Sequence, residues 1–199
     1  MKSLIYDKIR LGVAVLLYLC ATSWADAKVK LPALISDGMV LQREQSVKVW
    51  GTADAGESIT VKFQKKSYHA TADVNGRWSI TLPPLKAGGP FPMQVNDIKL
   101  NDILVGDVWL CSGQSNMELP VRRVMDMFSQ EILSYNNEKI RHILIPQEYN
   151  FHAPQEELSE TGWKTLTQEN VMDFSALAYF FAKAMYEKTN IPIGIINAS

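Results

Sequence analysis

The chain has 199 residues, 47% of them hydrophobic and 21% charged, with 20 Lys and Arg against 21 Asp and Glu and a net charge of −1. That composition excludes a disordered or collagen-like polymer, because there is ample apolar area for a core. It offers no basic excess to neutralise phosphates, so nucleic acid is not an expected partner. Its two cysteines, Cys20 and Cys111, exclude a disulfide-stapled mini-protein.

At the N-terminus Lys2, Lys8 and Arg10 precede an apolar run over residues 11–20, and small residues then lead to Ala25-Asp26-Ala27. A positive start, a short apolar middle and an Ala-x-Ala end predict a secretory signal peptide over residues 1–27, cleaved after Ala25 or Ala27. The run is shorter than the roughly 20 apolar residues that span a bilayer. An uncleaved anchor is the alternative, and a lipid on Cys20 is disfavoured by the bulky Leu19 before it. The expected location is periplasmic or extracellular, with no membrane span after cleavage. Cleavage leaves 17 basic against 19 acidic residues and Cys111 alone, so no internal disulfide is expected. Cys111 lies in the apolar run Val108-Trp109-Leu110-Cys111 and reads as a small buried hydrophobe rather than a reactive thiol.

Residues 28–105 read as short strands with turn punctuation. Alternation over residues 47–51 and 58–63 is followed by strands at 68–72 and 77–82, with Asn75-Gly76 between the last two as a tight hairpin turn. Pro83-Pro84 and Gly88-Gly89-Pro90 break the pattern, and residues 93–95, 98–100 and 103–104 supply the last strands. This spacing predicts an antiparallel, jelly-roll-like β sandwich with no helix.

From residue 106 the periods lengthen. A buried strand over 107–111 precedes a helical pattern over 117–133, a second buried strand over 140–145 and an acidic loop over 147–162 carrying Glu148, Glu156, Glu157 and Glu160. The clearest helix covers 175–188, with Asp173 as its expected cap, and a third strand covers 193–196. Strand–helix–strand–helix–strand predicts the opening of an α/β domain with a parallel sheet over residues 106–199. In that reading the strand at 193–196 lacks a neighbour, and an exposed apolar edge predicts self-association. Trp50, Trp78 and Trp109 sit in strand patterns and Trp163 precedes the last helix, so all four read as packing residues. The acidic loop reads as a solvated surface.

The chain's three histidines, His69, His142 and His152, are not at metal-ligand spacing with Cys, Asp or Glu, and no glycine-rich phosphate loop is present. No metal or cofactor is expected. One segment carries a chemical proposal: Gly106-Asp107-Val108-Trp109-Leu110-Cys111-Ser112-Gly113-Gln114-Ser115-Asn116-Met117. There a buried strand ends in a small polar turn and enters a helix, and open α/β sheets bind ligands beyond the carboxyl ends of their strands. A serine there has its hydroxyl at the mouth of the sheet and its amide free to stabilise an oxyanion. The same residues also read as a simple turn and N-cap. They are not the Gly-x-Ser-x-Gly elbow.

Together with Ser36-Asp37-Gly38-Met39-Val40-Leu41-Gln42, Lys86-Ala87-Gly88-Gly89-Pro90, Phe174-Ser175-Ala176-Leu177-Ala178-Tyr179-Phe180-Phe181 and Ile191-Pro192-Ile193-Gly194-Ile195-Ile196-Asn197-Ala198-Ser199, this segment resembles the sialate O-acetylesterases, which are SGNH (GDSL-like) serine esterases. The resemblance runs through nearly all of residues 30–199. It implies a β sandwich followed by the N-terminal part of a flavodoxin-like SGNH domain, with Ser115 as the nucleophile and its amide as an oxyanion donor. The implied reaction hydrolyses an O-acetyl ester of sialic acid through an acetyl-enzyme. The family's catalytic histidine and its acidic partner lie beyond the position resembling Ser199, so this chain is expected to be the N-terminal part of a longer enzyme. Among internal histidines His69 and His142 read as structural, and His152 is the nearest candidate base. Arg122 and Arg123 are candidate partners for the sialate carboxylate, and no other substrate-binding residue is assigned. The alternatives are an esterase acting on xylan or another acetylated sugar, and a secreted non-catalytic protein whose β domain binds glycan.

Overall fold

The computed structural model describes residues 29–148, 150–153, 157–159 and 161–199. The expected signal segment with Cys20, and the loop acids Glu156 and Glu160, lie outside the described residues. Strands β1 (Val40–Gln42), β2 (Val47–Thr52), β3 (Ser58–Phe63), β4 (Lys66–Thr71), β5 (Arg77–Leu82), β6 (Gly88–Val95) and β7 (Ile98–Ser112) follow one another without a helix. After them come α1 (Ser115–Glu118), α2 (Met125–Leu133), β8 (Asn137–Leu144), β9 (Lys164–Leu166), α3 (Ala176–Thr189) and β10 (Ile193–Ala198). Short 3-10 turns at Val121–Arg123 and Val171–Asp173 complete the set.

Eight strands form one mixed sheet in the order β4-β3-β6-β7-β10-β8-β9, with β1 also on β7, while β2 and β5 form a two-stranded sheet. This corrects the expected β sandwich followed by a separate SGNH-type α/β sheet. The physical reason is β7, fifteen residues long, which runs unbroken through residue 106. Its first part pairs antiparallel with β6 and parallel with β1, and its last six residues pair parallel with β10.

Alternation explains the first core. Ile59, Val61 and Phe63 on β3, Val49 on β2 and Trp78, Ile80 and Leu82 on β5 are buried together with Met93, Val95, Leu100, Ile103 and Val105. Each such side chain contributes about 1.5–3 kcal/mol on leaving water. A second core gathers Phe174, Tyr179, Ile140, Ile193 and Ile195 between the sheet and α3.

Four expectations from the sequence are revised. The Asn75-Gly76 turn forms, with Gly76 at φ 74 and the Asp73 carboxylate accepting from the amides of Asn75 and Arg77 at 2.8 and 2.9 Å. It does not close a hairpin, because β4 pairs with β3 and β5 with β2, so the turn carries the chain between sheets. The helix expected over 117–133 breaks at Pro120, which has no N–H to donate, and α2 itself bends at Phe128. α3 is capped by Ser175, whose hydroxyl oxygen accepts from the Ala178 amide at 3.3 Å, rather than by Asp173. Finally, β10 is no edge strand. It lies between β7 and β8 and pairs in parallel with both, so the expected self-association has no β10 edge to act through.

At Gly106 the amide of the next residue, Asp107, donates to the Pro192 carbonyl at 2.8 Å, and a Cβ on Gly106 would lie 1.9 Å from that oxygen. Gly106→Ala is expected to lower the unfolding free energy by about 1–3 kcal/mol through overpacking against backbone. Urea unfolding followed by circular dichroism checks this, and an unchanged midpoint would contradict it.

Candidate functional site

The parallel strands β7, β10 and β8 end at one level. Asn197 of β10 stands opposite Cys111 of β7 and Leu144 of β8, and Ala198 stands opposite Ser112. Just past Ser112 the chain turns through Gly113 and Gln114 into α1, a single helical turn that opens with Ser115. A cleft of about 640 Å³ lies at these strand ends, and Ser115, Glu118, Arg122, Arg123, Lys164, Asp173 and Asn197 line it. The sheet's registration therefore brings Ser115 together with the two arginines that the sequence singled out.

Ser115 is exposed, and its carbonyl accepts from the Leu119 amide at 3.0 Å. Among the described residues its hydroxyl and its amide are both without a hydrogen-bond partner. Arg122 is committed to Asp173 at 2.5 Å, whereas Arg123 and Lys164 have no ion-pair partner among the described residues. Three cations against the carboxylates of Glu118 and Asp173 leave the cleft favourable to an anionic ligand, although each exposed pairing is worth only about 0–1 kcal/mol.

Asn197 was not singled out by sequence reasoning. It is 2% exposed, and its Oδ1 has no hydrogen-bond partner, an arrangement that buried polar atoms seldom show. The signal was the pattern of β10 itself, an apolar strand ending in a buried amide.

None of the histidines lines the cleft. His142 on β8 is buried and stacked on Phe174, with ring centroids 4.4 Å apart. Burial, helped by the charge of Lys164, pushes its pKa down to about 4. His69 is exposed on β4 with Nδ1 3.2 Å from the Thr60 hydroxyl, and His152 is exposed with its amide bonded to Asn150. Cys111 is half-buried, and burial pushes its thiol pKa up, away from the thiolate form. Trp78 is buried and Trp163 donates to the Leu34 carbonyl at 3.1 Å, but Trp50 and Trp109 are 37% and 41% exposed and so are not core residues. The described acids of the 147–162 loop, Glu148 and Glu157, are exposed and lie outside the cleft lining. Among the described residues no group of three or more His, Cys, Asp or Glu is gathered to hold a metal, and no helix is long and apolar enough to cross a membrane.

Comparison with known proteins gives the same direction. No family model matches the chain. It is 28% identical over 197 residues to the sialate O-acetylesterase of Rattus norvegicus, covering 85% of this chain and 35% of that protein. For the Homo sapiens sialate O-acetylesterase the figures are 28% over 211 residues, 95% and 40%. The crystal structure of a carbohydrate acetylesterase from Xanthomonas citri superimposes with a TM-score of 0.80 at 38% identity, covering 85% of this chain and 40% of that one. The chain thus spans well under half the length of these relatives.

His142 gives the fold a measurable pH dependence. Its folded pKa of about 4 lies below the 6.5 of a free imidazole, so the unfolded state binds the extra proton between those limits. Stability is then full above pH 6.5 and falls as pH drops toward 4, with a slope of at most about 1.4 kcal/mol per pH unit from this group. His142→Phe is expected to flatten that decline in urea titrations run across the window. An identical slope in the variant would remove His142 as its source.

Proposed function

We propose that this chain, which belongs to the sialate O-acetylesterase family, carries the nucleophile of an exported serine esterase that removes O-acetyl groups from sugars. The observation that carries the reading is the placement of Ser115 at the carboxyl ends of three parallel strands, in a cleft with unpaired cations. In this account Ser115 Oγ attacks the acetyl carbonyl, and the Ser115 amide donates to the oxyanion that forms. The sugar oxygen leaves as a hydroxyl, the acetyl group stays as an ester on Oγ, and water then releases acetate. The proton acceptor is the histidine that the resemblance assigns to a later part of the family's chain.

Sialic acid brings a carboxylate, and Arg123 and Lys164 are the cleft's free cations to meet it. Arg122 is held by Asp173 and has the lesser role. A second reading, a neutral acetylated sugar such as a xylan unit, is favoured by the higher identity of the carbohydrate acetylesterase structure, 38%. Export rests on the N-terminal pattern of residues 1–27.

The test measures acetate release from 9-O-acetylated sialic acid and from acetylated xylo-oligosaccharide, using the exported protein that carries this chain, with its N-terminus expected at Asp26 or Lys28. Ser115→Ala is expected to lower release at least about 10³-fold. Arg123→Ala with Lys164→Ala is expected to raise KM for the sialate substrate only. Equal release by the Ser115 variant would overturn the nucleophile, and an equal KM change for both sugars would overturn the carboxylate contact.

A further inference from the structure

The turn that carries Ser115 is poorly held by its own residues. α1 is a single turn of four residues, Gln114 gives it no side-chain cap, and none of its residues is buried. One turn by itself lies well below the length at which a helix is stable in water. The amides of Met117 and Glu118 donate to the Gln114 carbonyl, and the Leu119 amide donates to the Ser115 carbonyl. The rest of its support comes from another element.

That element is the start of α3. The Ala176 amide donates to the Leu119 carbonyl at 2.8 Å and the Val121 amide to the Phe174 carbonyl at 2.9 Å, which fixes where the turn ends. Its rotation about its own axis depends on a side chain. Met117 is the one half-buried residue of α1, and it packs against the second core. The Ser175 hydroxyl, on a residue only 1% exposed, donates to Met117 Sδ at 3.4 Å while its oxygen accepts from the Ala178 amide at 3.3 Å. At about 100° per residue, Met117 lies roughly 200° around the axis from Ser115. Holding Met117 inward therefore turns Ser115 outward, into the cleft that it lines.

We infer that Ser175 is a positioning residue for Ser115, setting the rotation of the nucleophile turn through Met117. The inference rests on Ser115 being the nucleophile. Sulfur is a weak acceptor, so the contact aims the turn rather than binding it tightly. The single hydroxyl of Ser175 has two roles, and they are separable. As the N-cap of α3 the residue can be replaced by glycine at little cost, because glycine is tolerated at that position. As the partner of Met117 it cannot, because glycine has no hydroxyl. Attack on a carbonyl is steeply sensitive to geometry, so a small rotation of Ser115 lowers turnover while the contacts to the sugar, and with them KM, stay as they were.

The test compares kcat and KM for acetate release from an acetylated sugar, together with melting curves, in the exported protein that carries this chain. Ser175→Gly is expected to lower kcat on the order of tenfold, with KM and the melting curve little changed. Met117→Leu keeps the apolar volume and loses the acceptor, so it should lower kcat similarly, and the double variant should lose no more than either alone. Ser175→Thr, which keeps the hydroxyl, should retain turnover. Full kcat in Ser175→Gly would overturn the inference, as would losses that multiply in the double variant, since those mark two unrelated roles. Ser115→Ala reads the nucleophile separately. Release that survives there overturns that reading and the inference with it, whereas release abolished there but intact in Ser175→Gly overturns the inference alone.

Discussion

The structure turns on a change of partner along one strand. Up to Gly106, β7 is held by β6 and β1, and from Asp107 it is held by β10. The switch demands that the backbone at Gly106 accept the Pro192 carbonyl at a distance no side chain would permit. It also consumes the polar groups of the crossing. The Arg43 amide donates to the Gly106 carbonyl, and the Asp107 carboxylate accepts from Arg43 Nε at 2.8 Å. The Gln42 side chain accepts from the Val108 amide at 2.9 Å. The Gly106 carbonyl and the amides of Asp107 and Val108 thus all have partners, as a buried crossing requires.

The same strand ties the two cores. Arg141 on β8 is 5% exposed and reaches the Asp102 carboxylate at 2.7 Å, where β7 bulges with Asp102 at φ 59. Removing either partner would leave an uncompensated charge at the junction. With β7 fixed in this way, the ends of β7, β10 and β8 fall into register, and the turn that carries Ser115 is presented at their mouth. The Ser115 cleft sits at the finish of that strand, so β7 sets its geometry.

Strand alternation in β2, β3 and β5 was legible, because each has one face in the core and one in water. The helix at α3 and the buried strands β8 and β10 were legible for the complementary reason, as long apolar patterns. Topology was not. Asn75-Gly76 carries the residues of a hairpin turn, yet partner choice depends on which strands share a core, and that is a long-range property. The tight hairpins at Gln64-Lys65 and Asn96-Asp97 escaped notice because none of the four residues is glycine. β10 read as an edge because sequence order does not say that a crossover inserts a strand between two earlier ones. The helical pattern over 117–133 was read from its apolar spacing alone, and Pro120, which has no N–H to donate, is what divides it.

The candidate site was half legible. Ser115, Arg122 and Arg123 lie close in sequence and end in one cleft, whereas Lys164 and Asn197 arrive from distant segments that only the sheet's register brings near. The structural reading of His142 rested on its apolar strand, and the stacking on Phe174 supplies the reason. Acid-quenching the protein with an acetylated sugar and mapping its peptides by mass tests whether Ser115 is acylated during turnover. One acetyl group on Ser115 that disappears on further incubation in water is expected. An acetyl group on another residue, or acetate release with no acylated Ser115 at any quench time, would contradict it.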